Sequence, residues 1–166
     1  MPDSARLFFE DLQVGRVWES PARAVTESDR ADFAALAGLT PPGLLGLSLA
    51  GGLFANNPPV RVQAFVALGA WEFLAPVEAG DAIRVRSTVL ARQARGLGRR
   101  GVVRFEAEVV TRTGAVAQRG LIDVLVEARG GAAAGRRDGR GGRKAAASAD
   151  AGEVALSQLA AIGPPG

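Results

Sequence analysis

The stretch that decides the fold is Gly43-Leu-Leu-Gly-Leu-Ser-Leu-Ala-Gly-Gly-Leu-Phe54, which contains no charged residue and has no polar face. Pro41 and Pro42 precede it and suit the first turn of a helix, where a missing N–H costs nothing. The pattern predicts a helix, and a helix that is apolar all round must be surrounded by protein. Its glycines lower the intrinsic helix stability, but they allow a neighbouring backbone to approach closely.

Strands that follow this helix supply a surface that can surround it. Four segments are rich in β-formers or alternate between apolar and polar positions, namely 60–73, 83–92, 103–109 and 115–128. Before the helix, Thr26-Glu-Ser-Asp29 predicts a capping box that begins an earlier helix, which Gly38 ends. A further strand is expected near 20–25. The predicted architecture is α+β, with an antiparallel sheet wrapped around one central buried helix.

The composition changes sharply near Arg129, which divides the chain into a body, residues 1–128, and an Arg/Gly/Ala-rich tail, residues 129–166. The tail cannot bury enough apolar surface to offset its ordering entropy, so we expect it to be disordered. Residues 129–144 carry six basic residues and one acid, and residues 145–166 carry two acids, so the net charge of +3 leaves the body neutral. A solvated tail is the first interpretation, and weak binding of its arginines to nucleic acid or an anionic surface is the alternative.

Three residue types that often carry chemistry are missing, since the chain has no cysteine, histidine or tyrosine. Their absence excludes disulfides, thiolate metal sites, a cysteine nucleophile and a Ser-His triad. We expect no metal and no cofactor. The first residues do not resemble a signal peptide and no apolar segment is long enough to span a bilayer, so we expect a cytoplasmic protein without a membrane partner.

Four segments of the body together resemble the MaoC-like dehydratases, which include the (R)-specific enoyl-CoA hydratases. In order and spacing they are Phe8-Phe9-Glu-Asp-Leu-Gln-Val-Gly15, Val25 to Gly38, Pro42 to Leu49, and Trp71-Glu-Phe-Leu-Ala-Pro-Val-Glu-Ala-Gly-Asp81. The resemblance covers roughly residues 6–127. It implies a hot-dog fold, an acyl-CoA thioester as ligand, and a homodimer or a heterodimer with a second hot-dog subunit.

The resemblance fails where the family performs its chemistry. In the family, a segment after the first helix carries an Asp and a His that hydrate the double bond, and here Gly38 is followed directly by Leu39-Thr40-Pro41-Pro42. Hydration needs one group to take a proton from water and another to protonate carbon, and one such group contributes about 10²–10⁴-fold in rate. We therefore assign no catalytic residue.

Three residues remain as candidates for binding a substrate. Gly43 matches the family glycine whose backbone N–H donates to the thioester oxygen, although simple helix packing also explains it. Asn56 and Asn57 are candidate hydrogen-bonding partners of a ligand, or they end the helix. A last group, Arg95, Arg99 and Arg100, could meet CoA phosphates, or it forms a solvated hairpin loop.

Three functions follow from these features. One is a hydratase or dehydratase whose missing dyad comes from a second catalytic subunit, and another is a non-catalytic acyl-CoA-binding or structural subunit of a paired complex. The third is an inactive or truncated family member. Nucleic acid is not an expected partner, because no aromatic residue interleaves with the arginines of the tail.

Overall fold

One antiparallel sheet of six strands dominates the computed structural model, which describes residues 6–38 and 43–130. In chain order the strands are β1 Val17–Glu19, β2 Arg23–Ala24, β3 Val62–Phe73, β4 Ala82–Arg95, β5 Arg100–Thr111 and β6 Val116–Glu127. They lie in the order β1-β4-β5-β6-β3, and β2 also pairs with β4. β3 therefore forms one edge of the sheet. The predicted fold class, α+β with an antiparallel sheet, is confirmed.

Two helices and a short 3₁₀ turn accompany the sheet. The 3₁₀ turn spans Phe9–Asp11, and α1 spans Glu27–Ala37. The predicted capping box is confirmed, because the Asp29 backbone N–H donates to the Thr26 hydroxyl at 3.1 Å and the Thr26 N–H donates to the Asp29 carboxylate at 2.9 Å. Gly38 ends α1 with φ +75°. The predicted strand near residues 20–25 is present as β2.

The apolar stretch forms α2, Leu44–Asn56, which packs on β4 and β5. Its buried face is narrower than the sequence predicts, because only the i, i+4 stripe of Gly46, Ala50 and Phe54 is buried. The Phe54 ring packs edge-on against Phe105 of β5, with 5.2 Å between ring centroids. The sheet of one chain does not cover the opposite side of α2. The complete burial that the composition of α2 predicts therefore requires a second surface that packs on this side.

The core lies between α2 and the face of the sheet that the helix covers. The alternating residues of the long strands on this face are almost fully buried, namely Ile83, Val85, Val89, Val103, Phe105, Val109, Ile122, Val124 and Val126. The opposite face carries charged side chains, among which Arg104 and Asp123 are directly paired across β5 and β6. Both N–H···O distances of this bidentate ion pair are 2.8 Å, and the side chains are only 13% and 3% exposed. The hydrogen bonds that Arg104 donates to the Asp123 carboxylate raise the pKa of Arg104.

The C-terminal end of the described chain packs on its beginning. Ala128 is buried, and the Arg129 guanidinium donates to the Asp11 carboxylate at 2.7 Å and lies over the Phe8 ring. A hydrogen bond from the Phe8 backbone N–H, together with Arg129, lowers the pKa of Asp11. Arg129, which the composition assigned to the tail, thus contacts the body. The rest of the predicted disordered tail, from residue 131 onward, lies outside the described residues.

Candidate functional site

The N-terminus of α2 begins at Gly43, the residue that the sequence singles out as a donor to a ligand. Gly43 is the N-cap and has φ +99°, a conformation that side chains rarely allow. A Cβ built at this position would lie 2.6 Å from Cδ1 of Phe73, at the end of β3. Both the backbone and the neighbouring ring therefore require glycine here.

A buried glutamine holds the N-terminal end of α2, at Gly43 and the first helical turn, against the sheet. This end is called the head of α2 below. Gln118 of β6 is fully buried, and its Nε2 donates to the Gly43 carbonyl at 2.9 Å while its Oε1 accepts from Trp71 Nε1 at 3.2 Å. Gly46 allows this approach, because a Cβ there would lie 2.5 Å from Gln118 Nε2. Both functional atoms of the amide are used, so Gln118 links α2, β3 and β6 at one point.

The role of Gln118 was not predicted from the sequence, although a signal was present. β6 places Ile122, Val124 and Val126 on its buried face, and Gln118 falls in the same alternating phase. A polar side chain at such a position must find hydrogen-bond partners, since leaving a buried amide unpaired is costly. The pattern therefore pointed to a buried polar contact near the end of the sheet, without identifying its partners.

Backbone N–H groups of the first turn make the head of α2 a site for partial negative charge. Leu47 N–H is the first to find an acceptor within the helix, the Gly43 carbonyl at 3.1 Å. N–H groups before it have no intrahelical acceptor, and the helix dipole adds partial positive charge at the same end. A carbonyl oxygen that develops negative charge is stabilised by such an arrangement. Residues 39–42, which lead into this turn, lie outside the described residues.

Asn56 and Asn57 do not share a site with Gly43. They lie at the opposite end of the 13-residue α2, about 20 Å away at 1.5 Å per residue. Asn56 Nδ2 donates to the Gly52 carbonyl at 2.8 Å. Asn57 is the C-cap residue, and its backbone N–H donates to the Phe54 carbonyl. Both asparagines lie where α2 ends, and the Nδ2 atom of Asn57 is buried without a hydrogen-bond partner among the described residues. A role in ligand binding stays a prediction for both.

Arg95, Arg99 and Arg100 also lie far from the head of α2. Gln118, which contacts Gly43, pairs with Val109 of β5. Arg100 begins β5 nine residues before Val109, so about 30 Å of strand separates Arg100 from the level of Gln118. These arginines and Gly43 of one chain therefore lie at opposite ends of the sheet. The same chain's hairpin is poorly placed to hold CoA phosphates while Gly43 contacts the thioester.

The carboxylates of Glu72, next to Phe73, and of Asp29, at the start of α1, are both engaged by other residues. Among the residues that the structure describes, no group of three or more Asp or Glu side chains could hold a metal ion. Glu72 is paired with Arg119. The pKa of Asp29 is lowered by hydrogen bonds from Thr26, which makes this carboxylate a weaker base. The free N–H groups at this end of α2 suit the binding and polarisation of a carbonyl group.

Sequence comparisons identify no relative of this chain. No protein-family model matches it, and no curated protein sequence matches it. The described residues also include no helix with the length and hydropathy needed to cross a bilayer.

Solved structures, in contrast, match it over most of the body. The monoamine oxidase regulatory protein from Archaeoglobus is 28% identical, with a TM-score of 0.66 over 74% of this chain and 95% of that one. A MaoC-like dehydratase from Rhodospirillum rubrum is 24% identical, with a TM-score of 0.64 over 74% of this chain and 98% of that one. The HadBC 3R-hydroxyacyl-ACP dehydratase complex from Mycobacterium tuberculosis is 18% identical, with a TM-score of 0.53 over 68% of this chain and 96% of that one.

Other matched structures include (R)-hydratases and a protein with a double hot-dog fold. At these identities the likeness rests on the course of the backbone. The chain has the hot-dog fold that MaoC-like dehydratases and (R)-hydratases share, which confirms the resemblance carried by its sequence.

Proposed function

We propose that this protein binds acyl-CoA thioesters at the head of α2 and does not hydrate them by itself. The observation that carries the proposal is the glycine N-cap at Gly43, whose carbonyl accepts a hydrogen bond from the buried Gln118 side chain at 2.9 Å. Resemblance to enzymes that act on acyl thioesters supports the ligand class. The missing segment after Gly38 supports the lack of independent chemistry.

The proposed binding unit is a dimer in the cytoplasm. β3 is an edge strand of 12 residues with no charge before Glu72, and Phe65, Leu68 and Phe73 are each about half exposed on it. Long, apolar edge strands pair with other strands unless they are protected. A second copy of β3 would continue the sheet and would bring apolar surface toward the open side of α2.

A heterodimer is the second candidate, in which another hot-dog subunit supplies the acid and base. Likeness to a chain of the HadBC complex favours this assembly, because two components form that dehydratase together. Affinity capture from the native cell, followed by assay of the recovered complex on enoyl-CoA substrates, distinguishes the two assemblies. Hydration by the complex but not by the pure chain supports the heterodimer.

A thioester and its thioether analogue test the binding mode. We expect isothermal titration to give a dissociation constant about fivefold lower for butyryl-CoA than for S-butyl-CoA, because only the thioester offers a carbonyl to the α2 N–H groups and one hydrogen bond contributes about 1 kcal/mol. In Gly43→Ala the discrimination should disappear, since a Cβ there would press on Phe73 and alter the turn.

Gly51→Ala is the matched control, because a Cβ at Gly51 meets no atom within 4 Å and the residue lies mid-helix. This variant should keep the fivefold preference. Thermal unfolding of both variants verifies that they are folded. Equal affinity of the wild-type chain for both ligands, or no binding of either, contradicts the proposal.

A further inference from the structure

An apolar side chain is held in solvent at the tip of the β4–β5 hairpin. The hairpin turns through Gly96, Leu97 and Gly98, which all have positive φ, at 55°, 56° and 78°. Leu97 is 99% exposed. A leucine in this left-handed conformation is strained, whereas glycines on either side adopt it freely. The turn therefore presents Leu97 outward, where it makes no contribution to the core.

Basic side chains surround this tip. Arg99 and Arg100 are exposed and Arg95 is half-buried, and none of the three forms an ion pair with an acidic residue in the described part of the chain. Two other arginines near this end are paired, Arg61 with Glu127 and Arg129 with Asp11. The positive charge of the hairpin is thus left available to an anionic partner.

The chain leaves β6 at the same end of the sheet as this hairpin. The Ala128 backbone N–H donates to the Arg99 carbonyl at 3.0 Å, so the chain leaves β6 beside the hairpin. The sequence that starts there, residues 129–144, carries six basic residues and one acid. The hairpin and the end of β6 therefore lie at one end of the sheet, opposite the head of α2.

We propose that this hairpin end, defined as Arg95, Leu97, Arg99 and Arg100, docks on the anionic surface of a lipid bilayer. Basic residues close to an anionic leaflet are attracted to it, and an exposed leucine gains by entering the interfacial region. Within one chain the hairpin is a poor match for the phosphates of a CoA bound at Gly43, which lies about 30 Å away along the sheet.

Nucleic acid explains the arginines but not the leucine. Residues 95–100 contain no aromatic side chain on which a base could stack, and an apolar tip has no favourable contact on a phosphate backbone. We expected no membrane partner from the sequence, because no segment can span a bilayer. Docking on a leaflet surface needs no such segment and requires only the hairpin and its charge.

Cosedimentation of the full chain with vesicles tests the proposal. We expect binding to phosphatidylcholine vesicles that contain about one quarter phosphatidylserine, and no binding to pure phosphatidylcholine. Replacing Arg95, Arg99 and Arg100 together with glutamine should weaken the apparent affinity about 100-fold, since each basic residue near the leaflet contributes roughly fivefold. Leu97→Asn should weaken it about tenfold, because asparagine tolerates the left-handed turn and only the apolar contact is lost.

Arg112→Gln is the matched control, because Arg112 is an exposed arginine in the β5–β6 turn at the opposite end of the sheet. It should bind like the wild-type chain, and all variants should keep the thermal unfolding and butyryl-CoA binding of the wild type, which separates this proposal from the proposed function. Absence of binding to anionic vesicles, or unchanged binding by the triple variant, overturns the proposal. Unchanged vesicle binding by Leu97→Asn, with a single-stranded oligonucleotide bound more tightly than the vesicles, overturns it in favour of nucleic acid.

Discussion

Replacing Leu68 with glutamate is expected to convert the proposed dimer to a monomer and to raise its dissociation constant at least about 100-fold. Leu68 lies at the middle of β3, so antiparallel pairing of two β3 strands about a two-fold axis brings the two copies of this residue close together. Leu68 is 51% exposed in the single chain. Two carboxylates facing each other at a desolvated interface cost several kcal/mol. Sedimentation velocity over a range of concentrations measures the change.

Leu36→Glu is the control for this experiment. Leu36 is a leucine of α1 that is 87% exposed, so a carboxylate there disturbs no packing. The wild-type chain and this variant should both sediment as dimers. A Leu68→Glu chain that remains dimeric, or a wild-type chain that is monomeric at high concentration, contradicts pairing through β3.

Replacing Asp123 with alanine should destabilise the folded chain by about 3 kcal/mol. The Asp123 carboxylate, which is 3% exposed, forms a bidentate ion pair with the Arg104 guanidinium. The Arg104 side chain is itself only 13% exposed. Removing one member of a buried pair leaves the other charge without compensation. Denaturant unfolding followed by circular dichroism measures the free energy of unfolding.

Two controls isolate the effect of the unpaired charge. Glu72→Ala breaks the Glu72–Arg119 pair, whose side chains are about half exposed, so its effect should be much smaller. The double variant Arg104→Met with Asp123→Leu removes both charges and should recover most of the lost stability, because a buried pair and an apolar replacement are often similar in energy. An Asp123→Ala variant as stable as Glu72→Ala shows that Arg104 reaches water freely.

Local patterns predicted much of the fold because each was set by a few neighbouring residues. The Thr26–Asp29 capping box and the Gly38 stop each depend on one backbone conformation and its hydrogen bonds, and both are present. Alternation in β4 and β5 indicated which residues face the core. Arrangement of these elements into a hot-dog fold rested on the resemblance, which the solved structures confirm.

Features that depend on contacts between distant residues could not be predicted in the same way. Gln118 is separated from Gly43 by 75 residues, and nothing local to either residue indicates their hydrogen bond. Burial of α2 was overestimated because composition reports the preference of a helix for apolar surroundings, and a second chain can supply those surroundings.

Incubation of the purified chain with crotonyl-CoA, followed by chiral analysis of any 3-hydroxybutyryl-CoA, tests the central claim most directly. A thioester-binding helix head that lacks groups to move protons should give a hydration rate equal to that of buffer alone, even at concentrations that saturate binding. Stereospecific product formed faster than in buffer, and lost in Gly43→Ala but kept in Gly51→Ala, would show that this chain carries its own proton-transfer residues.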